Sequence, residues 1–474
     1  MRVIHFAAEC FPVAKVGGLA DVLGALPKYQ RKQGIEATVV MPFYDKAFVR
    51  DHVFDVLYEG HIMQGSSSYG YSILRESANS LGFELILVNI PGLLDRTEVY
   101  SYPDEREQFL AFQHASLNWL CVSSQRPDII HCHDHHVGLI PFYIEHVEQF
   151  NFLKGVPTVA TVHNGQYQGW MSWDMASFMP AFDTWRWGLL DWNGLINPLA
   201  ALIKCSWAYT TVSAGYLEEL YKKANGLEAL FQAERAKAYG IVNGIDTDIW
   251  STSSDPMLNS NFNQATVKKG KALNKKAICD QYGLDERLPL FVFIGRFALE
   301  KGADLLPSAL QAIFEHLADQ VNFFVLGSGD KIIETSLLET REHFPQHLAL
   351  FIGYNEELAH QVYAAADFLL MPSRVEPCGL NQLYAMRYGT VPVVHATGGL
   401  KDTVVDVDAD GYGVLFDNIT AEGILEGVER ALKYWNNVGL KEQIALRKKL
   451  MKLDFSWEKS AAKYTDLYKK LINL

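Results

Sequence analysis

Several short motifs in this sequence combine glycine with a nearby cation at points where a strand gives way to a helix. The first is Lys15-Val16-Gly17-Gly18-Leu19-Ala20-Asp21-Val22, between an apolar run ending near Glu9 and a helix expected to reach about Gln33. Paired glycines let backbone approach a ligand closely, and a helix N-terminus offers N–H groups and partial positive charge. The device recurs as Ala396-Thr397-Gly398-Gly399-Leu400-Lys401-Asp402 and as Glu376-Pro377-Cys378-Gly379-Leu380. Arg296 and Lys301, in Ile294-Gly295-Arg296-Phe297-Ala298-Leu299-Glu300-Lys301-Gly302, follow another apolar run. Taken singly, each turn needs no more than a glycine at a helix start. Taken together, several anion-friendly turns with Lys15, Arg296 and Lys301 point to a diphosphate. The spacing matches neither G-x-G-x-x-G nor the P-loop, so nicotinamide and P-loop chemistry are not indicated.

The elements that must carry these motifs are short β-branched runs alternating with amphipathic stretches, a rhythm that predicts parallel sheets covered by helices. Runs fall at 2–8, 37–41, 85–90, 128–132, 158–162 and 209–212, then at 290–294, 322–326, 350–352, 368–371 and 392–395. Each set suffices for one doubly wound sheet, and ligands of such sheets bind beyond the strands' carboxyl ends. The chain has 474 residues, more than one hydrophobic core supports, and two α/β domains are expected. The boundaries expected are 1–245 and 246–455, with a terminal helix over 456–474 returning to the first domain. The stretch 251–276 is polar and weakly periodic, and its lysines 268, 269, 271, 275 and 276 read as a solvated face.

Composition narrows the function classes. Apolar residues are 49% and charged residues 20%, which is ordinary for a globular chain. The net charge of −13 disfavours nucleic acid. Six cysteines without a C-x-x-C pair read as reduced thiols of a cytoplasmic protein, and no run is long enough to be a signal segment or to span a membrane.

Lys15–Val22, Arg296 with Lys301, Pro372–Leu380 and Thr397–Leu400 together resemble the bacterial glycogen synthase and plant starch synthase family, in its order and spacing along nearly the whole chain. The resemblance implies a GT-B fold of two Rossmann-like domains facing a cleft. It implies glucose transfer from ADP-glucose to the non-reducing end of glycogen or a maltodextrin, with retention of configuration. UDP-glucose as donor, or a nucleotide-sugar epimerase, is the alternative. As catalytic groups it implies Lys15, His163, Arg296, Lys301 and Glu376. Donor contacts would come from Gly17, Gly18, Asp21, Asn164, Asn243, Cys378, Gly379, Leu380, Thr397 and Gly398. Asp134 and Tyr167 would line the acceptor side, the first domain taking the glucan and the second the donor. Departures are Ala20 for a common glycine, Gly165-Gln166 after Asn164, Thr97 after Arg96, and Tyr384 where the wider GT-B signature has a second glutamate.

Fixed cations would stabilise the departing diphosphate without a cofactor or metal ion. The triplets Asp246-Thr247-Asp248 and Asp406-Val407-Asp408 lie outside the glycine motifs and read as turns. His131-Cys132-His133-Asp134-His135-His136 has ligand-like residues, yet no second Cys/His cluster closes a tetrahedral site, and no metal is expected. Tyr167 to Trp192 contains five of the ten tryptophans, which would either stack on sugar rings or form buried core.

Overall fold

The computed structural model describes residues 1–123 and 125–473, which form two compact units. Unit 1 comprises Met1–Asn243 and Trp457–Leu474, and unit 2 comprises Gly244–Ser456.

In unit 1 the strands are β1 (Arg2–Phe6), β2 (Glu36–Pro42), β3 (Phe54–Gln64), β4 (Ser67–Glu76), β5 (Glu84–Asn89), β6 (Ile129–His133), β7 (Thr158–Val162), the small hairpin β8 (Asp191–Trp192) and β9 (Leu195–Ile196), β10 (Ala208–Thr211) and β11 (Ala238–Gly240). The main sheet has the order β11-β10-β7-β6-β1-β2-β5-β4-β3, parallel except where β4 joins β3 and β5. The central strands β6 and β7 are buried at every position, as a sheet covered on both faces requires. The helix Gly18–Lys32 follows β1, and the terminal helix Trp457–Ile472 packs against it. Trp457, Ala461, Tyr464, Leu467, Tyr468 and Leu471 of that helix join the core formed by Leu19, Leu23 and Leu26.

Unit 2 is wholly parallel. Its strands β12 (Leu290–Ile294), β13 (Asn322–Gly327), β14 (Leu348–Ile352), β15 (Phe368–Met371), β16 (Val391–His395) and β17 (Val414–Phe416) lie in the order β14-β13-β12-β15-β16-β17. A core fills each face of this sheet, Phe291, Phe323 and Leu370 on one and Leu290, Phe324 and Leu369 on the other. Alternate residues of one strand thus enter opposite cores.

Two expectations need correction. The hairpin β3–β4 was not anticipated, because most of β3 is exposed and its apolar residues make no buried run. The segment 251–276 is also not merely a solvated linker. Its second half belongs to the helix Val267–Tyr282, and Lys271 is only 4% exposed. The Lys271 Nζ donates to the carbonyls of Tyr363 and Tyr388 and to Thr390 Oγ1 at 3.3, 3.0 and 2.8 Å, while Lys275 pairs with Asp367 at 2.7 Å. Burial depresses the Lys271 pKa. Among the described residues no helix is long and apolar enough to cross a membrane.

Candidate functional site

In unit 2 the sequence places its charges just beyond the carboxyl ends of β12 and β15. After β12 the chain makes a tight turn holding Arg296, Glu300 and Lys301, and Gly302 closes it at φ 67°. A Cβ on Gly302 would stand 1.9 Å from the Pro372 carbonyl oxygen, so only glycine lets this turn press against the end of β15. Arg374 then staples the two segments. Its guanidinium donates to both carboxylate oxygens of Asp304 at 2.5 and 2.8 Å and to the Leu299 carbonyl at 2.7 Å, and its N–H donates to the Glu300 carbonyl at 2.8 Å.

This stapling brings Lys301 to Glu376. Lys301 Nζ lies 2.9 and 2.8 Å from the two carboxylate oxygens, and Ser373 Oγ donates to one of them at 2.9 Å. Glu376 is 5% exposed, so its charge needs these donors. Arg296 forms an ion pair with Glu300 and remains largely in solvent. The turns Glu376–Leu380 and Thr397–Leu400 also meet. Gly399 N–H donates to the Glu376 carbonyl at 2.9 Å, and a Cβ on Gly399 would fall 2.2 Å from the Cys378 oxygen. Gly379 has φ 73° and Gly398 φ 41°. Cys378 and Thr397 are buried, and Leu380 caps the helix Asn381–Arg387. Tyr384 stacks on Trp250, ring centroids 3.7 Å apart. Arg296, Lys301, Glu376, Cys378, Gly379, Leu380, Thr397 and Gly398 therefore belong to one neighbourhood of unit 2.

In unit 1 the Lys15 ammonium binds Asp21 at 2.7 Å, one turn into the following helix. The loop between them is held by Glu9, whose carboxylate accepts from the Val16 and Gly17 N–H groups at 2.5 and 2.9 Å and from Tyr100 Oη at 2.6 Å. Gly17 thus spends its N–H on a carboxylate of the chain itself, and of the two glycines Gly18 alone opens the helix. Glu9 and Tyr100 were not among the expected site residues. Glu9 stood in the sequence three residues beyond β1, but no spacing tied it to the glycines.

Beyond β6, Asp134 takes φ 63° and ψ −179°, a region that ordinarily only glycine visits. Its carboxylate accepts from the His163 N–H at 2.7 Å and is 8% exposed. Burial pushes its pKa up to about 7, with repulsion from Glu9 adding to the shift. Burial lowers that of His163, at the end of β7, to about 3. Asn164 uses its side-chain oxygen to accept from the Gln166 N–H at 3.0 Å, and Gly165 N–H donates to Tyr216 Oη at 2.8 Å. Asn243 keeps a buried Oδ1 with no protein partner among the described residues. Tyr167, Trp185 and Trp187 are exposed, Trp185 by 90%, which excludes the core alternative for them.

His131 and His133 gain a third histidine from the neighbouring strand, His5, and one nitrogen from each lies within 4.8 Å of the others. Hydrogen bonds occupy all six ring nitrogens of this trio. Both Asp-x-Asp triplets are turns in which the first aspartate accepts from the N–H of the third residue, at 3.0 and 2.8 Å.

Known proteins match this arrangement along its length. The family described as the starch synthase catalytic domain matches residues 2–233, and the glycosyl transferases group 1 family matches residues 274–449. A glycogen synthase of Flavobacterium johnsoniae is 47% identical over 473 residues, covering 100% of this chain and 99% of its own. The chain belongs to the glycogen and starch synthase family. It is therefore a glycosyltransferase with the two-domain GT-B fold. A glycogen synthase of Geobacillus thermodenitrificans is 35% identical, covering 100% of this chain and 98% of its own. The catalytic domain of starch synthase IV from Arabidopsis thaliana, solved with ADP and acarbose, has a TM-score of 0.88 at 32% identity and covers 100% of this chain and 99% of its own.

Proposed function

We propose that this family member transfers glucose from ADP-glucose to the non-reducing end of an α-1,4-glucan, glycogen or maltodextrin, with retention of configuration. One observation carries the reading: Lys301 and Glu376 meet beside Arg296 at the carboxyl ends of parallel strands, in a chain 47% identical to a glycogen synthase. Unit 2 is the donor side. Breaking the anomeric C–O bond leaves growing negative charge on the diphosphate, and Arg296 and Lys301 stabilise it. Glu376 accepts from hydroxyls of the transferred hexose, and backbone N–H groups near Cys378, Gly379, Leu380, Thr397 and Gly398 hold the donor. Unit 1 offers Lys15 for the donor's charge, Gly17, Gly18, Asp21 and Asn243 for further donor contacts, His163 and Asn164 for the glucosyl group, and Asp134 and Tyr167 for the acceptor. The leaving phosphate oxygen takes the acceptor's proton on the same face. With the Asp-x-Asp triplets committed to turns, the charge is supplied by side chains and chelators should leave activity intact. The reduced thiols suit a cytoplasmic setting.

Incubation with ADP-, UDP- and GDP-glucose, each with and without glycogen, tests this. Glucan extension with ADP-glucose, giving new α-linkages by proton NMR, is expected. Donor conversion without primer would indicate an epimerase, and extension only with UDP-glucose would overturn the donor assignment.

A further inference from the structure

Behind His163 lies a run of buried polar side chains that the transfer reading leaves unused. His163 Nε2 is 3.0 Å from His133 Nδ1, and His133 Nε2 is 3.1 Å from His5 Nδ1. His5 Nε2 lies 2.7 Å from Gln30 Oε1, in the helix Gly18–Lys32. Gln30 Nε2 donates to Tyr468 Oη at 3.1 Å, in the terminal helix. A second arm runs from Tyr468 Oη to His131 Nδ1 at 2.7 Å, and from His131 Nε2 to Thr161 Oγ1 at 2.6 Å. His5, Gln30, His131 and His133 have no exposed surface.

Burial keeps these rings neutral, lowering the pKa of His5 to about 4 and those of His131 and His133 further. A neutral imidazole has one donor and one acceptor nitrogen. The Gln30 carbonyl oxygen only accepts, so His5 Nε2 donates to it and His5 Nδ1 is left accepting. His133 must then donate through Nε2 and accept through Nδ1. His163 must in turn donate through Nε2, which leaves the lone pair on Nδ1. Tyr468 fixes the origin of this polarity. Its hydroxyl accepts from the Gln30 amide and donates to His131; a flipped amide would turn its N–H2 toward His5 Nε2 and its oxygen toward Tyr468, and would force every ring in the arm to reverse. Among the described residues no protein group bonds His163 Nδ1.

We infer that Gln30, His5 and His133, anchored by Tyr468, are positioning residues that hold His163 in the Nε2–H tautomer and present Nδ1 as the acceptor for a hydroxyl of the transferred sugar. This deepens the proposed transfer reaction and rests on it for the identity of the sugar. It assigns to the two ends of the chain, His5 and Tyr468, a shared task in orienting one ring.

Histidine-selective 15N NMR of the full chain reads each tautomer independently of activity. The wild type should show His163, His133 and His5 as Nε2–H. Gln30→Met removes the anchoring carbonyl at similar volume. It should mix the tautomers at His163 and lower kcat about tenfold, with the donor KM changed less than about twofold. Gln30→Glu retains an acceptor for His5, and when neutral also a donor for Tyr468, so tautomer and kcat should stay near wild type. If Gln30→Met fails to fold, Tyr468→Phe decides, with a smaller loss of about threefold expected. An Nδ1–H form of His163 in the wild type, or a folded Gln30→Met with unchanged tautomer and kcat, would overturn the relay. A Gln30-dependent tautomer in a chain that transfers no glucose would uphold the relay and remove the transferase reading instead.

Discussion

The two candidate regions place reactive groups by opposite means. In unit 1 the rings of His163, His133 and His5 are buried and neutral, and hydrogen-bond direction organises them. In unit 2 the side chains around Glu376 are charged, and ion pairs organise them: Lys301 with Glu376, Arg296 with Glu300, Arg374 with Asp304. A neutral imidazole is cheap to bury once its nitrogens are bonded, whereas a carboxylate at 5% exposure needs a cation beside it. The first arrangement should therefore be indifferent to salt and sensitive to which atom carries a proton. The second should respond to charge reversal, neutralisation and ionic strength.

The largest effect that would break this contrast is expected at the Lys301–Glu376 pair. Lys301→Ala leaves Glu376 with the Ser373 hydroxyl as its remaining side-chain donor among the contacts described above. A loss of about 3 kcal/mol in stability is expected from the uncompensated carboxylate. A fall in kcat of about 10²-fold or more is expected if the ammonium also stabilises the departing diphosphate. The double variant Lys301→Met/Glu376→Gln separates the two roles. Denaturant titration should show most of the stability restored, while kcat stays at the single-variant level. Recovery of both would make the pair purely structural.

Asp134 provides the next effect, and its sign differs. Its pKa, pushed by burial from 3.8 to about 7, means that the folded chain binds its proton more tightly than the unfolded chain does. Stability must then fall as pH rises between about 4 and 7, and stay lower above that window. Asp134→Asn keeps an acceptor for the His163 N–H and removes the charge. It should raise the melting temperature at pH 8, by the equivalent of about 2 kcal/mol or more, and leave it nearly unchanged at pH 4. Activity should drop, because a residue held both desolvated and in a glycine-like conformation marks a site where stability is given up for function. A lower melting temperature at pH 8 would show that Asp134 is ionised and paired in the fold.

The same contrast explains which parts of the molecule were legible from sequence. Strands such as β7 and β12 are runs of apolar and β-branched residues buried on both faces, and their limits were read without error. The exposed hairpin β3–β4 carries no such signature, and short β17 holds only three residues. The motif residues of unit 2 were legible because glycine and charge lie close together in the chain. Their stapling was not, since Arg374 and Asp304 are separated by 70 positions. The histidine relay was least legible. His163 was expected at the site and His133 stood in a ligand-like run, but His5, Gln30 and Tyr468 each read as ordinary core residues, and the five come from four elements and the turn after β7. Only the strand order β7-β6-β1 sets His163, His133 and His5 side by side.

A milder effect is expected from Arg374→Met. The Arg374–Asp304 pair is about one-third exposed on each side, so its loss should cost only about 1 kcal/mol. Yet it sets where the Lys301 turn meets Glu376, and kcat should fall about tenfold, because small displacements of oriented groups weaken transfer more than they weaken the fold. Equal stability with unchanged kcat would mean that Gly302 and the backbone bonds from Arg374 and Val375 to Glu300 hold the turn by themselves.

Glu300→Gln should give the smallest change and the sharpest view of the contrast. The Arg296 guanidinium is 64% exposed and pairs with Glu300, so the pair itself adds well under 1 kcal/mol to stability. For a dianionic donor, however, Glu300 is a competitor for the same fork of N–H groups. Replacing its carboxylate by an amide leaves the backbone carbonyl of residue 300 free to keep accepting from Arg374 and Val375. Arg296 then meets the diphosphate without first giving up an anion. The donor KM should fall about two- to threefold at low ionic strength, with kcat unchanged, and the difference should shrink as salt screens the exposed charges. A KM that rises instead would show that Glu300 aims Arg296 at the donor, making this pair a positioning device like the relay of unit 1. The salt titration distinguishes the two mechanisms, since the neutral relay has no charge for salt to screen.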